Sequence, residues 1–193
     1  MSFNLYTLLR PVLAPVFKFL YRPKVINKEL IPKNGNIIFA GNHTHALDPF
    51  LIGCTTKRTI RFLAKKELYK GLGKILFSLL GCLPVERNKK GFNDETIKKA
   101  EQILKNGDVI ALFPEGTRNR TKEKLLSFKK GAVRFAKNTN SYIVPFYING
   151  KFKMFKKGLT IVIGKPFKVT SDDLDKENDK LKDEILKLIE KGV

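Results

Sequence analysis

The sequence predicts a single α/β domain: a mostly parallel central sheet flanked by helices, with a helical membrane-interface segment at its amino terminus. Three observations carry that expectation. From Pro23 onward, short apolar runs of strand length alternate with amphipathic stretches of helical period. The length, 193 residues, suits one core and is short for two. No internal repeat or low-complexity linker divides the chain.

The amino-terminal segment, residues 1–24, is set apart from the domain at 25–193. Residues 3–21 read FNLYTLLRPVLAPVFKFLY, the most apolar stretch of the chain. Arg10 near its middle would cost about 2.5–3.5 kcal/mol in a membrane span, and Pro11 and Pro15 each remove a helical hydrogen bond. A secretory signal would place its basic residues first, whereas here Arg10, Lys18, Arg22 and Lys24 come late. The segment therefore reads as a kinked stretch in the membrane interface, apolar side chains buried and cations at the phosphates. A helix packed on the core, or a span or signal, are the alternatives.

The domain opens with Asn36–Ala40 (NIIFA), a buried strand that runs into a loop at Gly41-Asn42-His43. Thr59–Leu63 is a second strand, followed by a basic, apolar-striped helix from Lys65 to Leu80, and Leu83–Val85 is a third. Asp94–Lys105 carries Ile97, Ala100, Ile103 and Leu104 on one helical face and stops at Gly107. Asp108–Phe113 is a strand and Phe128–Asn138 a helix. Tyr142–Tyr147 and Leu159–Ile163 are strands, and Asp172–Lys191 is a closing helix with Leu174, Leu181, Ile185, Leu188 and Ile189 in register.

Charge narrows the partners. The formal net charge is +20, and because residues 171–193 hold eight acids against five lysines, residues 1–170 carry +23. Such a field attracts nucleic acid, anionic lipid head groups, acidic carrier proteins or phosphorylated substrates, and a Lys-rich surface also serves solubility. No nucleic-acid-binding motif accompanies it. Cys54 and Cys82 form neither a disulfide framework nor a metal-ligand spacing, which points to the reducing cytoplasm. Cys82, inside an apolar stretch, reads as a small buried hydrophobe. The run KFKMFKK at 151–157 interleaves cations with Phe152, Met154 and Phe155, as either a docking surface or a solvated edge.

Two constellations carry chemistry. In Asn42-His43-Thr44-His45-Ala46-Leu47-Asp48-Pro49, a helical turn beginning near Leu47 would bring the Asp48 carboxylate back to the His43 ring. A carboxylate on one ring nitrogen fixes the tautomer and leaves the other nitrogen to take a proton. The sequence has no G-x-S-x-G, so the hydroxyl to be activated is most simply one on a substrate. The second constellation is Phe113-Pro114-Glu115-Gly116-Thr117-Arg118 at a strand end, where α/β sheets bind ligands. Gly116 permits close backbone approach, and Thr117 and Arg118 supply donors suited to a phosphate. Arg87, closing Gly81-Cys82-Leu83-Pro84-Val85-Glu86-Arg87, is placed to join Arg118 in clamping one anionic group. For Glu115 a helix cap or an arginine partner is the plainer alternative to a role in binding. No metal-ligand spacing is present, His43, His45 and Asp48 included.

These blocks resemble the glycerolipid acyltransferases, most closely the bacterial 1-acylglycerol-3-phosphate acyltransferases. NHTHALD at Asn42–Asp48 is similar to the family's H-x4-D block, GCLPVER at Gly81–Arg87 to the second, FPEGTR at Phe113–Arg118 to the third and IVPFYI at Ile143–Ile148, centred on Pro145, to the fourth. The stretch FKKGA at 128–132 matches one that often follows the third block. Together they cover residues 42–148, and their order is far more specific than H-x4-D alone.

The resemblance implies that His43 is the general base and that Asp48 orients it. It implies that Arg87, Glu115, Gly116, Thr117 and Arg118 bind the phosphate-bearing acceptor, lysophosphatidic acid. The donor would be acyl-CoA or acyl carrier protein, with no cofactor beyond that co-substrate and no metal. The implied setting is the anionic surface of the cytoplasmic face of the membrane, without nucleic acid. One departure stands out: His45 occupies a position where the family usually has serine. Another acceptor, such as glycerol 3-phosphate or a different lysophospholipid, and a non-catalytic peripheral lipid-binding protein are the alternatives.

Overall fold

The computed structural model describes residues 5–71, 74–75, 77, 82–85, 87–88 and 91–191. The chain runs α1 (Leu5–Tyr21), β1 (Lys24–Ile26), β2 (Ile37–Gly41), α2 (Asp48–Gly53), β3 (Ile60–Lys65), β4 (Leu83–Val85), β5 (Arg87–Asn88), β6 (Gly91–Phe92), α3 (Asp94–Lys105), β7 (Val109–Leu112), α4 (Gly131–Thr139), β8 (Tyr142–Asn149), β9 (Thr160–Ile163), β10 (Phe167–Lys168) and α5 (Leu174–Glu190).

The sheet order is β1-β9-β8-β2-β7-β3-β4, with β10 also on β8, while β5 and β6 form a separate hairpin. The stretch from β8 to β4 is parallel throughout. β9 and β10 are antiparallel to β8, and β1 is parallel to β9, so the sheet is mixed at that edge.

The strands are covered on both faces, which is why the sequence shows solid apolar runs in place of alternation. Ile37 and Phe39 of β2, Val109 and Ala111 of β7, and Phe146 of β8 pack on one face with Phe17 of α1 and Leu51 and Ile52 of α2. Ile38, Ala40, Ile110 and Ile143 face the other way, against Ala100 and Leu104 of α3, Val133 and Phe135 of α4, and Leu181 and Ile185 of α5. Every residue of β2 and of β7 is buried.

The mostly parallel sheet flanked by helices agrees with the sequence expectation. Differences are local. The helix expected from Lys65 does not begin there: Lys65 ends β3, and Lys66–Leu68 form a 3₁₀ turn. Of the rest of that expected helix, Lys74, Ile75 and Phe77 are helical, while 72–73, 76 and 78–80 lie outside the described residues. The helix expected from Phe128 begins at Gly131, because the Lys129 amide donates to the Pro114 carbonyl (2.8 Å) instead of entering the helix. The pairing strands β1 and β10 and the β5–β6 hairpin are too short to show a period in sequence.

From Leu5 to Tyr21 the amino-terminal segment is a continuous helix through both prolines. Tertiary packing overrides the local penalty. On its inner side, Phe17 is buried, and the Arg10 guanidinium donates to the carbonyls of Gly53 (3.4 Å) and Thr56 just beyond α2. Arg10 thus satisfies backbone acceptors of its own protein. The other side carries Leu8, Val12, Val16 and Phe19, all exposed. Among the described residues no helix is long and apolar enough to cross a membrane.

Helix ends follow side-chain chemistry. Asn93 accepts from the Thr96 amide (2.9 Å) to start α3. Asp173 accepts from the Asp175 and Lys176 amides to start α5. Glu177, buried within α5, accepts from the Thr170 and Ser171 amides at 2.9 and 2.7 Å and so ties the β10–α5 loop to the helix. Burial opposes its ionisation, but these amides, with Lys180, outweigh burial and hold the carboxyl below its usual range.

A carboxyl depressed in the folded state contributes stability above its unfolded pKa, near 4.3, and that contribution fades as pH falls through the lowered folded value. Glu177→Ala is therefore expected to cost about 2–3 kcal/mol at neutral pH. In urea denaturation across a pH series, the gap to the parent protein should hold above about pH 5 and narrow below it. A gap that does not change with pH would leave only the packing loss.

Candidate active site

Strand register sets up the site. β2 and β7 lie side by side with Ala40 opposite Leu112, so the loops that leave their carboxyl ends emerge as neighbours. On its other flank β2 pairs with β8, and Gly41 lies against Phe146. A Cβ at Gly41 would sit 2.2 Å from the Phe146 carbonyl oxygen, so only glycine allows β8 this close where the first loop begins.

Asn42 then locks that loop to β8. Its buried side-chain amide accepts from the Ile148 N–H (2.7 Å) and donates to the Ile148 carbonyl (2.9 Å). His43 follows. Its Nδ1–H donates to Asp48 Oδ2 at 2.8 Å, and the same oxygen accepts from the Thr44 and His45 amides at 2.8 Å each.

Asp48 is fully buried in the first turn of α2. Its Oδ1 has no hydrogen-bond partner among the described residues. The His43 ring lies flat on Phe113, with centroids 3.9 Å apart and planes 13° apart. With Nδ1 held by the carboxylate, Nε2 carries the basic lone pair.

Glu115 closes the second loop onto the first. One carboxylate oxygen accepts from the His43 amide and the other from the Leu126 amide, both at 2.9 Å. Its side chain is therefore engaged by backbone on both oxygens. The Asn119 amide donates to the His43 carbonyl (2.6 Å), so residue 43 is gripped at both backbone polar atoms by the loop after β7. Gly116 takes φ +70°, the left-handed conformation that glycine adopts without strain. Thr117 and Arg118 are exposed just beyond it.

These residues border a cavity of about 610 Å³, within the range of small-molecule sites. Its walls are mainly apolar: Leu13, Ala14 and Phe17 from α1, Pro49 and Phe50 from α2, Phe62 and Ala64 from β3, and Ala111 and Phe113 from β7 and its end. His43, Gly116, Thr117 and Arg118 line the same cavity. Cys54 and Cys82 line it too, and burial raises both thiols, Cys82 to about 11, so neither is a ready thiolate nucleophile.

Asp48 thus meets His43 as their spacing suggested, and the fold brings Gly116, Thr117 and Arg118 to the same cavity. Arg87 is in the β5–β6 hairpin and only its backbone is described; Gly81 and Glu86 of the same block lie outside the described residues. The fourth block lies within β8, with Pro145 opposite Ala40. His45 stacks on Phe152 (4.5 Å) and its Nδ1 accepts from the Leu47 amide (3.2 Å), so it braces the loop that holds His43.

The sequence reading passed over Asn42, Phe113 and the α1 wall. The first two adjoin or begin the blocks already recognised, so that proximity was the available signal. The wall had none: nothing local says that Arg10 reaches Thr56.

A histidine oriented by a buried carboxylate, beside an apolar cavity and an exposed arginine, is equipped to deprotonate a hydroxyl on a molecule with one anionic and one hydrocarbon end. Comparisons with known proteins agree with that chemistry. The Acyltransferase family model matches residues 22–149. The 1-acyl-sn-glycerol-3-phosphate acyltransferase of Bacillus subtilis is 33% identical over 150 residues, 74% of this chain and 72% of that protein. Its namesake in Borreliella burgdorferi is 33% identical over 72% of this chain, but the match spans only 58% of that longer protein. The crystal structure of the 1-acyl-sn-glycerophosphate (LPA) acyltransferase from Thermotoga maritima aligns with a TM-score of 0.74 at 26% identity, covering 94% of this chain and 80% of that one. By motif order, fold and these likenesses together, the chain belongs to the acyltransferase family.

Proposed function

We propose that this acyltransferase moves a fatty acyl group from an acyl thioester, acyl-CoA or acyl carrier protein, to the sn-2 hydroxyl of 1-acylglycerol 3-phosphate, forming phosphatidic acid. The observation that carries the reading is that His43, oriented by the buried Asp48, lines one cavity with Arg118 and apolar walls. A lysophosphatidate has matching parts: a phosphate for Arg118, a hydroxyl for His43 and hydrocarbon for the cavity, where each seated methylene contributes about 0.8 kcal/mol.

In this reading His43 Nε2 takes the proton from the acceptor hydroxyl as the oxygen attacks the thioester carbonyl. Asp48 holds the ring in register and opposes the positive charge that the imidazole acquires. The tetrahedral intermediate collapses with cleavage of the C–S bond, and the histidine returns its proton to the departing thiolate. Donors on the loop after β7 steady the oxyanion.

Thr117 and Arg118, together with Arg87, bind the acceptor phosphate, and Gly116 lets the backbone approach it. Glu115 acts by positioning: its carboxylate fixes the His43 amide. Residues 1–24 serve as the membrane-interface segment of the 25–193 domain, placing the enzyme peripherally on the anionic cytoplasmic face. The exposed apolar stripe of α1 and the basic charge support that placement.

The test is thiol release from acyl-CoA, then from acyl carrier protein, with lysophosphatidic acid in detergent. Release should require the acceptor and fall by about 10²–10⁴-fold in His43→Ala. Asp48→Asn should fall within the same range. Acceptor-dependent release that is unchanged in His43→Ala would remove histidine from the role of base.

Arg118→Ala is expected to raise KM for lysophosphatidic acid by about tenfold or more, with little effect on KM for the thioester, as loss of a charge-assisted bond of about 1.5–3 kcal/mol requires. Equal changes in both would place Arg118 away from the acceptor phosphate.

A further inference from the structure

Apart from Phe152, which stacks on His45, the run KFKMFKK at residues 151–157 has no role in the chemistry above, yet the fold holds it in a defined place. It leaves β8 through Gly150, at φ +91°, and returns to β9 through Gly158, at φ +110°. A Cβ at Gly150 would sit 1.9 Å from the Gly158 carbonyl oxygen, so the two glycines form a tight neck. Between them the apolar side chains divide by direction. Phe152 turns inward, its ring 5.7 Å from Tyr21 and 4.5 Å from His45. Met154 and Phe155 turn outward and are 57% and 54% exposed.

Phe155 is the telling residue. It adopts φ +59°, an outlier for a bulky side chain. The Phe155 amide donates to the Leu20 carbonyl of α1 (2.5 Å), and its ring meets Phe19 edge-on at 5.8 Å. The backbone thus accepts strain to keep an aromatic ring in solvent beside Phe19, itself 65% exposed. Phe155 and Met154 thereby extend the exposed stripe of Leu8, Val12, Val16 and Phe19 onto a second segment of the chain.

Charge identifies the occupant. Lys151, Lys153, Lys156 and Lys157 are exposed and make no ion pair among the described residues, as is true of Lys18 and Arg22. The sequence has no Asp or Glu in residues 1–28 or 124–171. Exposed aromatics ringed by unpaired cations, with no carboxylate in either segment, fit the boundary of an anionic bilayer, where rings enter the acyl region and ammonium groups stay at phosphates.

We propose that residues 151–157 form a second membrane anchor, inserting Met154 and Phe155 into an anionic lipid surface beside α1. Two anchors from distant parts of the chain fix the orientation of the enzyme as well as its attachment. Leu13 of α1 and Phe50 of α2, both 42% exposed, line the catalytic cavity, so the helix that carries the outer stripe also walls the site. This proposal rests on the membrane-surface reading given above, but not on the identity of the acceptor.

The chain has no tryptophan, so Phe155→Trp introduces a single reporter. Tyr142→Trp, exposed at the start of β8 at the opposite end of that strand, is the control. On vesicles of mixed phosphatidylglycerol and phosphatidylcholine, Phe155→Trp emission should shift to the blue and be quenched by brominated acyl chains, with neither change in Tyr142→Trp. The double variant Met154→Ser/Phe155→Ser should bind these vesicles about tenfold or more weakly. Its thiol release with dispersed, monomeric acceptor should stay at the parent rate.

If the Phe155→Trp protein cosediments with vesicles while its indole stays open to aqueous iodide, α1 attaches alone and the second anchor is overturned. Absence of vesicle binding in the parent protein, with acyl transfer intact, would overturn the anchor and leave the reaction standing. Insertion without acyl transfer would uphold the anchor and count against the proposed reaction.

Discussion

One oxygen of a buried carboxylate organises the active site. Asp48 Oδ2 receives the His43 ring and the amides of residues 44 and 45, three donors at 2.8 Å. Burying a carboxylate is costly unless such bonds replace its water, so the loop has little choice of conformation once Asp48 is inside. The spacing of five residues follows from this. The chain must turn far enough for the first turn of α2 to face back toward the ring, and the amides passed on the way are those that the carboxylate collects. Glu115 repeats the device from the neighbouring strand, with its two oxygens on two backbone amides. Two acids from separate loops thus hold one histidine.

The sheet makes this economical. Adjacent parallel strands deliver their carboxyl ends to the same edge, and β2 lies between β7 and β8. The closeness of β8 depends on Gly41, and Asn42 fastens the loop to Ile148. His43 is therefore positioned by three strands before any substrate arrives. That preorganisation is what the general-base role proposed for His43 needs, since its value depends on geometry before basicity.

α1 serves two surfaces at once. Its inner residues wall the cavity and Arg10 fastens it to the end of α2, while its outer stripe remains uncovered by the domain. Phe17 touches Phe50 and Phe152, and Phe152 in turn stacks on His45. A continuous aromatic contact therefore runs from the amino-terminal helix to the loop that carries His43. An uncovered apolar outer face and the shape of the cavity are properties of one helix.

The sequence determined the fold class and the core of the site because both are written locally. Buried strands are solid apolar runs, helix faces repeat, and His43 with Asp48 lies within one turn of chain; FPEGTR lies at a strand end that its own apolar run announces. Only the tertiary structure decided what depends on distant pairs. It spent Glu115 on the amides of residues 43 and 126, kept α1 continuous through Pro11 and Pro15 by packing its inner face, and turned Arg10 inward to carbonyls more than forty residues away. It also placed Phe155 against α1. The physical reason is one of range. Burial pattern and helical period are fixed within a few neighbouring residues, whereas a hydrogen bond to a backbone atom or a stacked ring leaves no mark on the sequence between its partners.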